Sequence, residues 1–356
     1  MLCLSRLLLL MAGSAVAPLV LAQTAPCDQQ QPLAFYCGLQ FAEDSAPLPD
    51  SSWLISGGLG IGAPGQLQGF DTTTGTVLHL YPRTGGDAEI AAPFRHCPGP
   101  PDAAGLSIAG VSLARAPRKG LLLYGVNAGS RAAVEVFRIS LRNHKPEVQW
   151  IGCVLLPAGT NPNAVTALPG QGMAIVSMDD GSADRMAQHE AGTASGRVFE
   201  WQPRQGLREI AVSGLRGGNG ILATLDGRWL LVSAWSGGEL WRIARRGTAP
   251  AQRVALGFLP DNLKPARDGG MWLVGQRGPV SGIARCAGSQ CPADWLVAHL
   301  DPRTLRLQIR LERPGTASFN YATSAVEQDG TLYVHGRGDH RIAAIRLRDL
   351  PRAVLR

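Results

Sequence analysis

The chain has 356 residues, of which 44 are Gly and 25 Pro, with 45% hydrophobic but only 6% aromatic side chains. Its net charge of +7 comes almost wholly from arginine, since Lys119, Lys145 and Lys264 are the only lysines and Arg245-Arg246 is the one adjacent arginine pair. Nucleic-acid binding calls for a clustered basic stripe, so scattered arginines exclude it, and the charge gives at most a mild attraction to anionic surfaces.

Residues 1–22 stand apart from the rest. Met1 to Arg6 is a short basic start, Leu7 to Leu10 opens an apolar run, and Val20-Leu21-Ala22 is a small-residue cleavage site. This pattern reads as a secretory signal peptide cut after Ala22, and Pro18 argues against a membrane anchor. Gln23 follows, not a cysteine, so no lipid anchor is expected there. No later apolar run is long enough to span a bilayer. The mature chain is therefore expected outside the cytoplasm, in a periplasm or secreted.

Six cysteines remain: Cys27, Cys37, Cys97, Cys153, Cys286 and Cys291. An even number in an oxidising compartment favours disulfides, although six cysteines allow 15 connectivities. Short separations suggest Cys27 with Cys37 and Cys286 with Cys291, which leaves Cys97 with Cys153 and other pairings open. Residues 23–39 are then a disulfide-tied N-terminal segment. Zinc competes weakly, because no C-x-x-C pair occurs.

From residue 40 to 350 the apolar runs are short, rich in Val, Ile, Leu and Trp, and bounded by Gly, Asp or Pro, an all-β pattern. Six turn-strand-strand units follow one another. Their first strands start near residues 53, 121, 173, 229, 271 and 332. Asp226-Gly-Arg-Trp-Leu-Leu-Val232 leading to Gly238-Glu-Leu-Trp-Arg-Ile243 is representative. Each unit alone buries too little surface, so the six predict one domain, a six-bladed β-propeller. A β-sandwich, usually of about 100 residues, would not use six similar units.

In a propeller, polar residues at one matching place in several units converge on the central channel. Four units carry such residues ahead of their first strands: Glu43-Asp44, Asn161-Pro-Asn163, Gly218-Asn219-Gly220, and Asp261-Asn262. Any one of them could be a turn former; the agreement between units carries the argument. Glu43, Asn163, Asn219, Asp261 and Asn262 offer only hard oxygens, two charged and three neutral. That set suits calcium, which takes six to eight oxygen ligands, better than magnesium or zinc.

The ordered set of Ala42-Glu43-Asp44, Leu48-Pro49, Ile55-Ser-Gly-Gly-Leu59, Asn163-Ala-Val165, Gly218-Asn219-Gly-Ile221, Leu225-Asp-Gly227, Pro260-Asp261-Asn262-Leu263 and Trp272-Leu-Val-Gly275 resembles the paraoxonase/arylesterase family. More broadly it resembles the gluconolactonase and strictosidine synthase-like six-bladed propellers. The resemblance runs from about residue 40 to 345. It implies a channel calcium on Glu43, Asn163, Asn219, Asp261 and Asn262 that polarises a lactone or ester carbonyl.

The chain also departs from that family. The two paraoxonase histidines that act as base fall on Ala109 and Ala128, so a paraoxonase-type water activation is in doubt. General bases contribute about 10²–10⁴-fold. The gluconolactonase-like pattern assigns Asp261 as the base instead. Asp179 and Asp180 are further carboxylates near the channel, Asp180 more simply read as a turn. The second, structural calcium of paraoxonases keeps Asp44 but meets Ala164 where an acid is needed. His96, His299, His335 and His340 have no placed partner, and no glutamate suits strictosidine-type condensation. The expected function is an exported, calcium-dependent hydrolase of small lactones or aryl esters. The alternative is a non-catalytic, calcium-stabilised propeller that binds a ligand or protein.

Overall fold

The computed structural model describes residues 26–61, 63–83, 89–116, 120–284, 293–337 and 340–351. The leader at 1–22 and the Cys286/Cys291 pair lie outside them. Six antiparallel sheets stand around one axis, five of four strands and one of five. The strands nearest the axis are Ala42–Pro47, Ile108–Arg115, Pro162–Leu168, Gly218–Ala223, Leu259–Pro265 and Ala322–Gln328. Each packs against the next, and Ala322–Gln328 closes the ring onto Ala42–Pro47. This is the six-bladed propeller expected from the repeats.

The sequence pattern explains why the blades form. Each blade packs both of its faces against neighbours, so its middle strands are apolar throughout instead of alternating. Leu122, Leu123, Tyr124 and Val126 are all buried in the strand Leu121–Asn127, and Leu230, Leu231 and Val232 in Trp229–Ala234. Alternate residues then feed two different cores. Leu123 joins Trp53, Ile55 and Phe137 between blades one and two, while Tyr124 and Val126 join Met173, Ile175 and Phe199 between blades two and three.

The unit boundaries differ from the sequence reading. The strands starting near 53, 121, 173, 229, 271 and 332 are the second strands of their blades, and the innermost strands are the polar segments before them. The described part of the N-terminal segment, residues 26–39, is part of the propeller. Its strands Asp28–Gln30 and Leu33–Cys37 complete blade six, with Leu33–Cys37 paired to Arg341–Arg346. The two ends of the chain thus seal the ring, which removes the free sheet edge that an open array would leave. Cys27–Cys37 ties this closing hairpin, and Cys97–Cys153 ties the blade one–two linker to the outer strand of blade two. Both agree with the expected pairings.

Candidate functional site

All six inner strands slip register at the same level. The slips fall at Glu43, at Ala109-Gly110, at Asn163, at Asn219-Gly220, at Asp261-Asn262 and at Thr323. A bulge leaves a residue unpaired and re-aims its side chain. A ring of six bulges therefore turns one set of side chains toward the axis. All five residues expected to bind metal lie on it. They sit inside the inner strands, not in loops ahead of them. Gly110 and Gly220 let the rings' backbones pass closely: a Cβ on Gly220 would lie 2.6 Å from the Asp261 carbonyl oxygen, and one on Gly110 2.7 Å from Ala164 Cα.

The ring is buried and rich in acceptors. Glu43, Asn219, Asp261 and Asn262 are buried. Glu43 Oε2, Asn163 Oδ1 and Asn219 Oδ1 are buried oxygens with no hydrogen-bond donor. Native proteins rarely leave such atoms unpaired, because each costs about 1–3 kcal/mol. Asp261 is held on both sides: Gln276 Nε2 donates to Oδ2 at 2.9 Å and Asn262 Nδ2 to Oδ1 at 3.2 Å. Gln276 is in turn fixed by Trp235 Nε1, which donates to its Oε1 at 2.9 Å. Burial, opposed by Arg337 and reinforced by Asp44, pushes the Glu43 carboxyl up to about 7. Burial and the Glu43 charge push Asp261 well above the usual carboxylate range, against the Gln276 hydrogen bond. Two carboxylates crowded in this way, with donorless oxygens on Glu43 and on the amides Asn163 and Asn219, fit a hard divalent cation. Among the described residues no three His, Cys, Asp or Glu side chains cluster as a metal site, so any cation at the ring would rest on two carboxylates and amide oxygens.

Above the ring, Tyr321 and Arg337 face the carboxylates. Arg337 is exposed, lies over the Tyr321 ring at 5.7 Å, and is within electrostatic reach of Glu43 and Asp261. Trp235, Leu259, Ile283 and Tyr321 make an apolar wall beside them. Two short helices inserted in blades three and five, Arg185–Glu190 and Val280–Ala284, touch each other at this end. None of Arg337, Tyr321, Gln276 or Trp235 was singled out from the sequence. Gln276 ends a strand, Trp235 and Arg337 follow one and Tyr321 precedes one, with no shared residue type to mark them.

Below the ring the channel is plugged. Lys264 Nζ lies 2.6 Å from Asp44 Oδ2 and donates to the Val111 carbonyl at 2.9 Å. Asp44 also accepts from Val111 N at 2.9 Å and Ser324 Oγ at 2.6 Å. Blades one, two, five and six meet in this one network. A cavity of 1170 Å³ opens on the far side of the plug, lined by the opposite strand ends such as Pro47, Arg115, Leu168 and Trp229. It is a separate mouth from the one over Glu43 and Asp261.

The remaining sequence candidates separate cleanly. Ala109 sits in the ring and Ala128 just outside the strand Leu121–Asn127, so blade two brings no base to it. Asp180 accepts hydrogen bonds from Ser182 N and Gln188 Nε2, a local turn. Asp179 is fully buried against His189, Nε2 to Oδ2 3.0 Å, a pair that sequence reading did not join. His299 pairs with Asp268 near the far mouth, His340 meets the Leu39 carbonyl, and His96 is exposed.

Searches with protein-family models and among curated proteins return no match for the sequence. Solved structures do match. A gluconolactonase from Xanthomonas campestris superposes with TM-score 0.52 at 18% identity, over 90% of each chain. The chain shares the six-bladed fold of gluconolactonase-like propellers. A luciferin-regenerating enzyme matches with TM-score 0.56 at 9% identity, covering 88% of this chain and 95% of that one. A virginiamycin B lyase from Staphylococcus aureus matches with TM-score 0.50 at 12% identity, covering 88% and 98%. Proteins named for different reactions thus share this frame, and activity must be argued from the site.

One buried group beside the plug makes a pH prediction. His335 is fully buried, its Nε2 2.7 Å from Ser45 Oγ, and burial plus the Lys264 charge lower its pKa to about 3. The folded protein holds this ring neutral while the unfolded chain protonates it near pH 6.5. Stability from this group is therefore full above pH 6.5 and falls as the pH drops toward 3. At pH 5 the loss is about 2 kcal/mol. His335→Gln should flatten this limb: the difference in unfolding free energy between wild type and variant, measured by urea at pH 7 and 5, should shrink by that amount. A constant difference would contradict the assignment.

Proposed function

We propose that the protein is an exported, calcium-dependent hydrolase of small lactones or esters, acting at the ring of bulges. The observation that carries this is the set of three donorless buried oxygens, on Glu43, Asn163 and Asn219, around the crowded Glu43 and Asp261 carboxylates. Glu43, Asn163, Asn219, Asp261 and Asn262 would hold the ion. Bound there, calcium would polarise the carbonyl of the substrate. The rest is left to this chain's own side chains. Gln276 and Asn262 fix the orientation of Asp261, which takes the proton of the attacking water. The water oxygen adds to the carbonyl carbon, the C–O bond to the ring or leaving group breaks, and the released oxygen takes a proton. Trp235, Leu259 and Tyr321 keep bulk water from this place. Lys264 supplies beside Asp44 the positive charge that a second, structural cation would otherwise bring.

Two disulfides suit an oxidising compartment, which supports export. The second reading, a non-catalytic calcium-stabilised binding propeller, is favoured by one observation: alanines stand at 109 and 128, where the resembled family places its histidines. Metal analysis of the purified mature protein, followed by a lactone and aryl-ester panel with and without chelator, separates the two. Turnover that chelator abolishes supports the hydrolase. Bound calcium with no turnover supports the binding protein, and a folded protein with no affinity for calcium overturns both.

A further inference from the structure

We propose that Ser236, His189 and Asp179 form a second, metal-independent nucleophilic site in which Ser236 Oγ accepts an acyl group from small activated esters. This inference is independent of the calcium reading. Ser236 Oγ lies 3.2 Å from His189 Nδ1, and His189 Nε2 lies 3.0 Å from Asp179 Oδ2. A hydroxyl, an imidazole and a carboxylate in line are recognised by geometry and roles, whichever ring nitrogen faces which partner. Spacing at the long end between hydroxyl and base is common in ligand-free sites.

Each member is oriented by its surroundings. Asp179 has no exposed surface, and it is fixed by two further donors: Asn161 Nδ2 to Oδ2 at 3.1 Å and Gly181 N to Oδ1 at 2.8 Å. A carboxylate can only accept from the facing nitrogen, so the proton of neutral His189 sits on Nε2. Nδ1 is then the lone-pair nitrogen, aimed at Ser236. His189 is buried on the inserted helix Arg185–Glu190, with its ring edge-on to Trp235 at 5.8 Å. The buried end of the relay is thus the carboxylate and the open end is the serine.

Ser236 is half-buried in the glycine-rich turn Trp235-Ser236-Gly237-Gly238 between two strands of blade four. Space at the hydroxyl depends on Gly217: a Cβ there would lie 2.6 Å from Ser236 Oγ, and its φ of +65° favours glycine in any case. Arg216 reaches the Gly237 carbonyl at 3.5 Å and brings a positive group to the same turn. In the reaction, Ser236 Oγ bonds to the carbonyl carbon and its proton passes to His189 Nδ1. The alcohol leaves with that proton, and water then releases the acyl group as a carboxylic acid. Asp179 acts through His189 and is a positioning residue.

The test uses the full mature protein and a dialkyl fluorophosphonate, in which serine oxygen displaces fluoride from phosphorus. Intact mass and peptide mapping should find one adduct on Ser236, formed equally with and without chelator. Its rate should rise with pH, because only a neutral imidazole can take the serine proton. His189→Gln should slow labelling at least tenfold and flatten that pH profile, and Asp179→Asn should slow it while the adduct stays on Ser236. Circular dichroism confirms that each variant is folded. No adduct on Ser236 in folded wild type, or equal labelling of His189→Gln, overturns the proposal. Because the readout is a covalent adduct in chelator, its failure is distinct from a failure of calcium-dependent hydrolysis.

Discussion

Asp261→Asn should remove calcium uptake and lower chelator-sensitive lactone or ester hydrolysis by at least about 10²-fold, the scale of losing a general base. The same substitution should leave the metal-free protein as stable as wild type or more so. The reason lies in the ring itself. Asp261 is 1% exposed, and burial first, then the charge of neighbouring Glu43, hold its carboxyl well above its ordinary range. Without a cation, ionised Asp261 is a cost to folding; an amide of the same shape removes it. With its amide oxygen turned to Gln276 Nε2, the new side chain keeps that hydrogen bond and leaves Gln276 on Trp235, so the packing survives. Thermal unfolding in chelator and in calcium reads both halves. Wild type should gain stability with calcium by mass action, and Asp261→Asn should gain none. A variant that still shifts with calcium as wild type does would remove Asp261 from the ligand set. A variant that unfolds equally early in both conditions would make Asp261 a structural residue only.

Lys264→Met should destabilise the protein by about 3–5 kcal/mol, the usual cost of breaking one side of a buried ion pair. Lys264 is 9% exposed and Asp44 is 2% exposed. The ammonium holds the Asp44 carboxylate and the Val111 carbonyl together, at the point where four blades meet. With methionine, Asp44 keeps its bonds from Val111 N and Ser324 Oγ but loses its counter-charge. Asp44→Asn in the same chain removes that stranded charge. The double variant should therefore recover much of the loss, because replacing both partners of a buried pair costs less than removing one. Urea unfolding of the four proteins measures the coupling. A Lys264→Met loss below about 1 kcal/mol would mean that water, not Asp44, compensates the lysine.

The repeat was legible because its signals are local. Apolar runs bounded by Asp-Gly turns repeat within each unit, and a chain of such units can bury its faces only by stacking. The candidate ligands were legible for a related reason: Glu43, Asn163, Asn219 and Asp261-Asn262 recur at one place in the repeat. What placed them on the axis was not legible. It is a slip in pairing between each inner strand and its neighbour, and register belongs to two strands, not to one segment. The same limit misassigned the inner strands, since a run such as Trp229–Ala234 is more apolar than Gly218–Ala223 although it lies farther from the axis. The reason is that the middle strands bury two faces against neighbouring blades, while the inner strands turn residues toward a polar channel.

The sequence by itself determined the all-β class and the six units, consequences of composition and spacing along the chain, and it offered the oxygen-only candidate set and the Cys27–Cys37 pairing as expectations. The tertiary structure decided the rest. It closed blade six with Leu33–Cys37 against Arg341–Arg346, set Lys264 against Asp44, stacked Arg337 on Tyr321 beside the ring, and brought His189 between Asp179 and Ser236. Lys264 and Asp44 come from different blades, His189 comes from an inserted helix, and Leu33–Cys37 and Arg341–Arg346 are far apart in the chain. Hydrogen bonds and charges act over a few ångströms in space, and only the closure of the ring brings such residues within that reach.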